Sequence, residues 1–122
     1  MGHTFLIPSG TSERPDLKHL HIVCSEPCDK GNVVLVSVTG WTNNLCDATT
    51  RLETGCHSWV IKDSYCFYRK CRIEPVASIE KALHEGEFVG RDPMPNPPLQ
   101  QIIDGIIASP QTSWKVKKYL KR

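Results

Sequence analysis

The chain has 122 residues, of which 39% are hydrophobic and 23% are charged, and its formal net charge is +2. This length and composition are typical of one soluble globular domain that folds without metal ions or disulfide bonds. The longest largely apolar run, Val33 to Val38, is far shorter than the roughly 20 residues of a transmembrane helix, which excludes such a helix.

The amino-terminal residues, Met1 to Ser9, have neither the basic start nor the apolar run of a secretory signal. Leu6 stands where a myristoylation signal has Ser or Thr, so a lipid anchor is not expected either. We therefore expect a cytoplasmic protein with no membrane partner, whose six cysteines are reduced thiols.

Two short strands are predicted first, at residues 5–7 and 19–24. Because side chains alternate along a strand, His19 and His21 share one face of the second strand, and the apolar residues between them share the other. We expect the apolar face to belong to the core and the histidine face to be open to a ligand.

Further strands are predicted up to residue 69. Residues 33–38 are rich in β-branched side chains, which is typical of a central strand covered on both sides. Residues 49–52 and 57–61 are expected to form a hairpin, and residues 64–69 an aromatic-rich strand. Short strands without intervening helices favour a small antiparallel barrel or rolled sheet.

The last part of the sequence predicts two or three short helices. The first is expected to start at Ser78 as N-cap and to end at Gly86. Apolar residues recur at helical spacing over residues 99–107, and a further helix follows near the carboxyl terminus. The sequence thus predicts a mainly β protein with carboxy-terminal helices, as a single domain over residues 1–122 with a barrel part at 1–74 and a helical part at 75–122.

The cysteines include two pairs at spacings that zinc sites use, Cys24 with Cys28 and Cys66 with Cys71. In an extended strand, positions 66 and 71 point to opposite faces and cannot hold one ion. Buried free thiols are therefore the preferred interpretation. A zinc-stabilised domain is the alternative, and it requires the cysteines to converge in space.

The sequence lacks a phosphate-binding glycine loop, a nucleophile elbow, a zinc-protease helix and a dinucleotide fingerprint. Acid/base chemistry by histidine remains, because His19 and His21 share a strand face and His57 follows a turn. A solvated strand face and a local hydrogen bond of His57 are the structural alternatives. The basic, aromatic segment 114–122 fits either phosphate binding with base stacking or a helix end complemented by lysines.

Several segments resemble one toxin family. These are Gly2 to Pro8, His21 to Pro27, Gly31 to Thr39 and the strand start at Ser64, all within residues 2–72. They are similar to the MazF/PemK/Kid toxins. The resemblance implies an SH3-like barrel with carboxy-terminal helices, and a metal-independent endoribonuclease that cuts single-stranded RNA through the RNA's own 2′-hydroxyl. It also implies a homodimer and a neutralising antitoxin protein.

The resemblance carries over to individual residues. Thr39 matches the strand-end threonine near the scissile phosphate, and Ser25 matches the serine that closes the second strand. His19 stands where the family has an arginine that acts on the phosphate, and it lacks arginine's permanent charge and bidentate fork. The resulting hypothesis has no metal or other cofactor; its catalytic candidates are His19, His21, Thr39 and His57, and its substrate-binding candidates are Ser25, Arg51 and Lys62.

Two functions follow from these residues. The first is an RNA-cleaving enzyme in which the histidines act as acid or base and Arg51 positions phosphate. The second is a barrel without catalysis that binds protein or nucleic acid through an open sheet face and the basic tail. The two are distinguished by whether His19, Thr39 and Arg51 line one pocket or scatter around the barrel.

Overall fold

The computed structural model describes residues 1–8 and 18–121. Within these residues, strands and helices follow one another along the chain, and a short 3-10 helix, Tyr68–Lys70, separates two of the strands. The elements are β1 (Thr4–Pro8), β2 (Lys18–Val23), β3 (Asn32–Gly40), β4 (Arg51–Leu52), β5 (Ser64–Cys66), β6 (Arg72–Pro75), α1 (Val76–His84), β7 (Val89–Arg91), α2 (Pro98–Ala108) and α3 (Trp114–Leu120).

The central strand of the sheet is β3. It pairs with β2 along one edge, and with β6 and then β5 along the other. The strand order is β4-β5-β3-β2-β1-β7, and every pairing is antiparallel. Val34 and Val36 are buried on one face and Val33 and Leu35 on the other, which confirms the prediction of a central strand covered on both sides.

Helices cover the sheet unequally. The main core lies on one face, where Ile102 and Ile106 of α2 and Val116 of α3 join the buried side chains of the sheet. On the other face, Ile79 of α1 forms a second apolar cluster with side chains such as Phe5. This second cluster also takes in the start of β3 and the end of β2, so α1 covers that end of the face.

The predicted fold class is confirmed as an antiparallel β-sheet with mostly carboxy-terminal helices. Closure is not confirmed, because the described strands form an open sheet with β4 and β7 at its ends. The prediction that residues 57–61 form the second strand of a hairpin is wrong. These residues form turns in which the Val60 amide donates to the His57 carbonyl, and β4 pairs with β5 instead.

Other boundaries also differ from the predictions. Extended pairing of β5 ends at Cys66, where the chain turns into the 3-10 helix, and β6 and β7 were not predicted. The first helix begins at Val76 rather than after Ser78, whereas its end near Gly86 is confirmed by the positive φ of 79° there. Among the described residues, no helix combines the length and apolar character needed to cross a membrane.

A close contact fixes α2 against the sheet. Tyr68 is fully buried, and its hydroxyl lies 2.8 Å from the Thr50 hydroxyl and 2.8 Å from the Ile102 carbonyl oxygen. Gly105 of α2 passes directly over this pair. A Cβ at position 105 would lie 2.0 Å from the tyrosine hydroxyl and 2.3 Å from the threonine hydroxyl.

Substituting Gly105→Ala is therefore expected to destabilise the protein by roughly 2–4 kcal/mol, because the methyl group overpacks the core and displaces a buried hydrogen bond. Gly90→Ala is the matched control, since a Cβ there meets nothing within 4 Å. Urea unfolding monitored by circular dichroism measures both. Equal midpoints for the two variants would contradict this packing.

Candidate functional site

The strands β2 and β3 separate at one end of the sheet. Their pairing ends where His21 lies opposite Ser37. Beyond that point β2 remains paired with β1, whereas β3 pairs with β5 and brings Thr39 opposite Tyr65. Because the two strands no longer pair with each other beyond this point, a gap opens between the start of β2, at His19, and the end of β3.

This gap is one side of a cleft of about 520 Å³. The loop formed by residues 58–62 closes its other side. The cleft is lined by Lys18 and His19 from β2, Val38, Thr39 and Gly40 from β3, the loop Ser58, Trp59, Val60, Ile61 and Lys62, Ser64 from β5, and Arg91 from β7.

The register also aligns side chains across the sheet. Tyr65 pairs with Thr39 on one side and with Arg51 on the other, so these three share a face. His19 precedes His21 by two residues and Thr39 follows Ser37 by two, which places them on that face as well. We call His19, Thr39, Tyr65 and Arg51 the cross-strand row.

Aromatic rings and cations surround the cross-strand row. Trp41 and Phe67 each meet Tyr65 edge to face, with ring centroids 5.8 Å and 5.9 Å apart. The Arg51 guanidinium lies 3.9 Å from the centroid of Trp41, and the Lys70 ammonium lies 5.8 Å from that of Phe67. Trp41 and Phe67 are both half-buried, so the face presents ring surface beside positive charge.

The His19 imidazole is able to accept a proton at neutral pH. Burial lowers the pKa of its imidazole below 6.5, and the charge of Lys70 lowers it further. The ring is therefore mostly neutral at pH 7. A neutral imidazole that lines the cleft, as the Thr39 hydroxyl also does, can act as a general base toward a ligand bound there.

His21 lies in a different environment, although it shares the strand face. It is 7% exposed, its Nδ1 lies 3.0 Å from the His19 carbonyl oxygen, and its ring stacks on Phe5 at 6.3 Å. Burial is the main cause that lowers its pKa to about 4, with a smaller contribution from the charge of Arg72. The expectation that both histidines are open to a ligand is wrong for His21.

Two other candidates hold backbone segments in place. The His57 ring is buried, contacts the Thr4 hydroxyl and the Asp92 carbonyl oxygen, and accepts the Trp59 amide at Nδ1. The Ser25 hydroxyl accepts the Val34 amide at 2.9 Å. Neither residue lines the cleft, so each has the local hydrogen-bonding role that the sequence left as an alternative for His57.

The other two substrate-binding candidates lie close to the site. Lys62 lines the cleft and its side chain crosses Gly40, where a Cβ would come within 2.6 Å of the lysine Cε. Arg51 belongs to the cross-strand row but does not line the cleft, so His19, Thr39 and Arg51 share a sheet face without lining one pocket. Three further residues of the cleft, Lys18, Trp59 and Arg91, were not predicted.

One cysteine adjoins the site: Cys46 lies beside Tyr65 of the cross-strand row, and hydrogen bonds, the strongest of them with the Thr42 hydroxyl, lower the pKa of its thiol to about 7. None of the six cysteines forms a disulfide bond, and Cys24, Cys66 and Cys71 are buried in the main core. Burial raises the pKa of Cys66 and of Cys71 to about 12, which keeps both protonated. No group of three His, Cys, Asp or Glu residues placed to hold a metal ion occurs in the described parts of the chain.

Comparison with protein-family models, with curated proteins and with solved structures finds no match for this chain. The candidate site is therefore defined by the geometry of the chain itself. Its parts are the cross-strand row, the rings and cations around that row, and the cleft between β2 and β3.

The buried His21 predicts how stability depends on pH. An unfolded histidine binds a proton near pH 6.5, whereas folded His21 does so only near pH 4. Its contribution to the free energy of unfolding is therefore complete above pH 6.5 and is lost as the pH falls toward 4. The expected loss between pH 7 and pH 5 is about 2 kcal/mol.

Urea unfolding at pH 7 and at pH 5 measures this loss. His21→Gln is expected to remove most of it, because glutamine does not titrate. His84→Gln is the control, since His84 is exposed at the end of α1. An unchanged pH dependence in His21→Gln would contradict the assignment.

Proposed function

We propose that this protein cleaves single-stranded RNA at the cleft between β2 and β3, with the RNA's own 2′-hydroxyl as nucleophile. The observation that carries the proposal is the cross-strand row, which groups a neutral imidazole, a hydroxyl and a guanidinium on one sheet face. The resemblance to the MazF/PemK/Kid toxins supports the same reaction. With it come three further parts of the proposal: an SH3-like arrangement of strands, a second copy of the chain and an antitoxin protein.

The proposed reaction is a proton-coupled displacement at phosphorus. His19 accepts the proton of the 2′-hydroxyl while the 2′-oxygen forms a bond to phosphorus. The bond from phosphorus to the 5′-oxygen breaks, and the departing oxygen takes a proton from water. His19 then returns its proton to solvent, leaving a 2′,3′-cyclic phosphate and a 5′-hydroxyl end.

Residues around His19 supply a hydrogen-bond donor and permanent positive charge for binding the phosphate. The Thr39 hydroxyl can donate to a phosphate oxygen, and the Lys62 ammonium lies in the same cleft. As negative charge grows on the phosphorane, these donors stabilise it more than they stabilise the ground state. Arg51, two strands from β3, is placed to hold a neighbouring phosphate. Where the MazF/PemK/Kid toxins have one arginine that acts on the phosphate, the proposed site has a neutral base, His19, and separate cations, Lys62 and Arg51.

The same surroundings favour unpaired RNA. Trp41 and Phe67 offer ring faces beside Arg51 and Lys70, a combination that stacks bases and attracts phosphate. Bases inside a duplex are stacked on each other and cannot reach such rings without unpairing. Single-stranded RNA is therefore the preferred substrate class.

The direct test is cleavage of a mixed-sequence single-stranded RNA in excess chelator. We expect products with 2′,3′-cyclic phosphate ends, and a rate at least about 100-fold lower in His19→Ala. His84→Ala is the matched control and is expected to cleave at the wild-type rate. If the folded wild-type protein binds this RNA at the row without cutting it, the enzyme proposal fails and the binding module remains.

Lys70 offers a test of His19 as the base. The activity is expected to fall at acidic pH as His19 becomes protonated, with the midpoint below 6.5 because the folded pKa is lowered. Removing the nearby charge in Lys70→Met is expected to move this midpoint to higher pH. The readout is kcat/KM against pH, with Lys81→Met on α1 as control. An unmoved midpoint would argue against His19 as the titrating group.

A further inference from the structure

The cleft carries more positive charge than the proposed reaction uses. Lys18, Lys62 and Arg91 reach it from three separate parts of the chain: β2, the loop 58–62 and β7. None of the described residues that line the cleft is acidic. Three like charges around one cavity repel each other, and an anion between them relieves that repulsion.

The backbone provides room for one of these cations. The Lys62 side chain lies across Gly40, where a Cβ would be 2.6 Å from Cε and 2.9 Å from Nζ. The Lys62 carbonyl accepts the Ser64 hydroxyl at 2.9 Å, which ties the end of the loop to β5. The ammonium therefore lies over the end of β3, in space that is open because residue 40 has no side chain.

An exposed aromatic ring stands beside the charges. Trp59 is 39% exposed, and the Arg91 guanidinium lies 5.4 Å from the centroid of the ring. The Trp59 amide donates to the His57 ring, which is itself bonded to the Asp92 carbonyl. The loop thus presents the tryptophan from a fixed backbone, with an arginine next to it.

We propose that this cleft is a nucleotide subsite that holds one nucleotide of the RNA, with its phosphate between Lys18, Lys62 and Arg91 and its base stacked on Trp59. A volume of about 520 Å³ suits a ligand of this size. Two features together indicate the chemical class of the ligand. The cations favour a phosphate group, and the exposed ring favours a nucleic-acid base.

The position of the subsite connects it to the cross-strand row. His19 and Thr39 line the cleft and also belong to the row. A nucleotide in the cleft is therefore joined through its phosphate to the bond that His19 and Thr39 act on. In this respect the inference rests on the proposed function, and it assigns the cleft to the nucleotide next to the cleaved bond.

The three tryptophans make a direct binding test possible. The indole N–H signals of Trp41, Trp59 and Trp114 can be followed by NMR while adenosine 5′-monophosphate is added, with adenosine alone and inorganic phosphate alone as separate arms. We expect a saturable shift of Trp59 with the nucleotide, weaker effects of the two fragments, and no shift of Trp114 on α3. Equal effects of phosphate and nucleotide, or no shift of Trp59, would overturn the proposal.

Substitutions test the roles of the cations in the cleft and of the open space at Gly40. Lys62→Ala and Arg91→Ala are each expected to weaken nucleotide binding about tenfold, whereas the exposed Lys115→Ala is expected to leave it unchanged. Gly40→Ala should weaken binding similarly, because its methyl group displaces the Lys62 side chain, and the urea midpoint controls for folding. Wild-type affinity in all three cleft variants would contradict the subsite.

The outcomes separate this inference from the proposed function. Saturable nucleotide binding at Trp59 without RNA cleavage would support the subsite and overturn the enzyme. Cleavage that depends on His19, with an unresponsive Trp59 and an unchanged KM in Lys62→Ala and Arg91→Ala, would support the enzyme and overturn the subsite.

Discussion

The hydrogen bonding of β3 determines the rest of the structure. The strand is buried on both faces, so its backbone groups have no water and need protein partners on both edges. Along one edge it pairs first with β6 and later with β5, and the Phe67 amide donates to Ser37 between them. Along the other edge β2 pairs only as far as Ser37 in the described register. The cleft opens where β2 stops pairing with β3 while β5 continues to pair with the opposite edge, so the position of the site follows from where the pairing of the central strand with β2 ends.

The sequence predicts β2 and the last two helices from their apolar period, and it predicts β1 and β3 from short continuous apolar runs. Residues 57–61 have strand-like composition, yet the His57 side chain bonds to backbone groups of residues 59 and 92. The bond to residue 92 is tertiary and has no local signal, and together with the local bond to residue 59 it holds this segment in turns. The strands β6 and β7 have only four and three residues, and they contain charged residues and a proline, so no period could identify them. Closure of the sheet could not be predicted, because it depends on whether β4 and β7 meet.

The candidate site is predictable to a similar extent. His19, Thr39 and Lys62 come together at the cleft, and Arg51 shares the face of the first two. His21, His57 and Ser25 do not join them. The polar atoms of these three side chains form hydrogen bonds with backbone groups elsewhere in the fold. Alternation along β2 places two histidines on one face, but it does not show that Phe5 and its neighbours bury only one of them. Trp59 and Arg91 were missed because the elements that present them were not recognised.

In the proposed function, RNA binds where β2 and β3 separate rather than on the basic helix α3. The most direct measurement is mapping of backbone amide NMR shifts during titration with a short single-stranded oligonucleotide that lacks 2′-hydroxyls and cannot be cleaved. We expect the largest shifts at the start of β2, at the end of β3 and in the loop 58–62. Shifts confined to α3, around Lys115 and Lys118, would contradict the proposal.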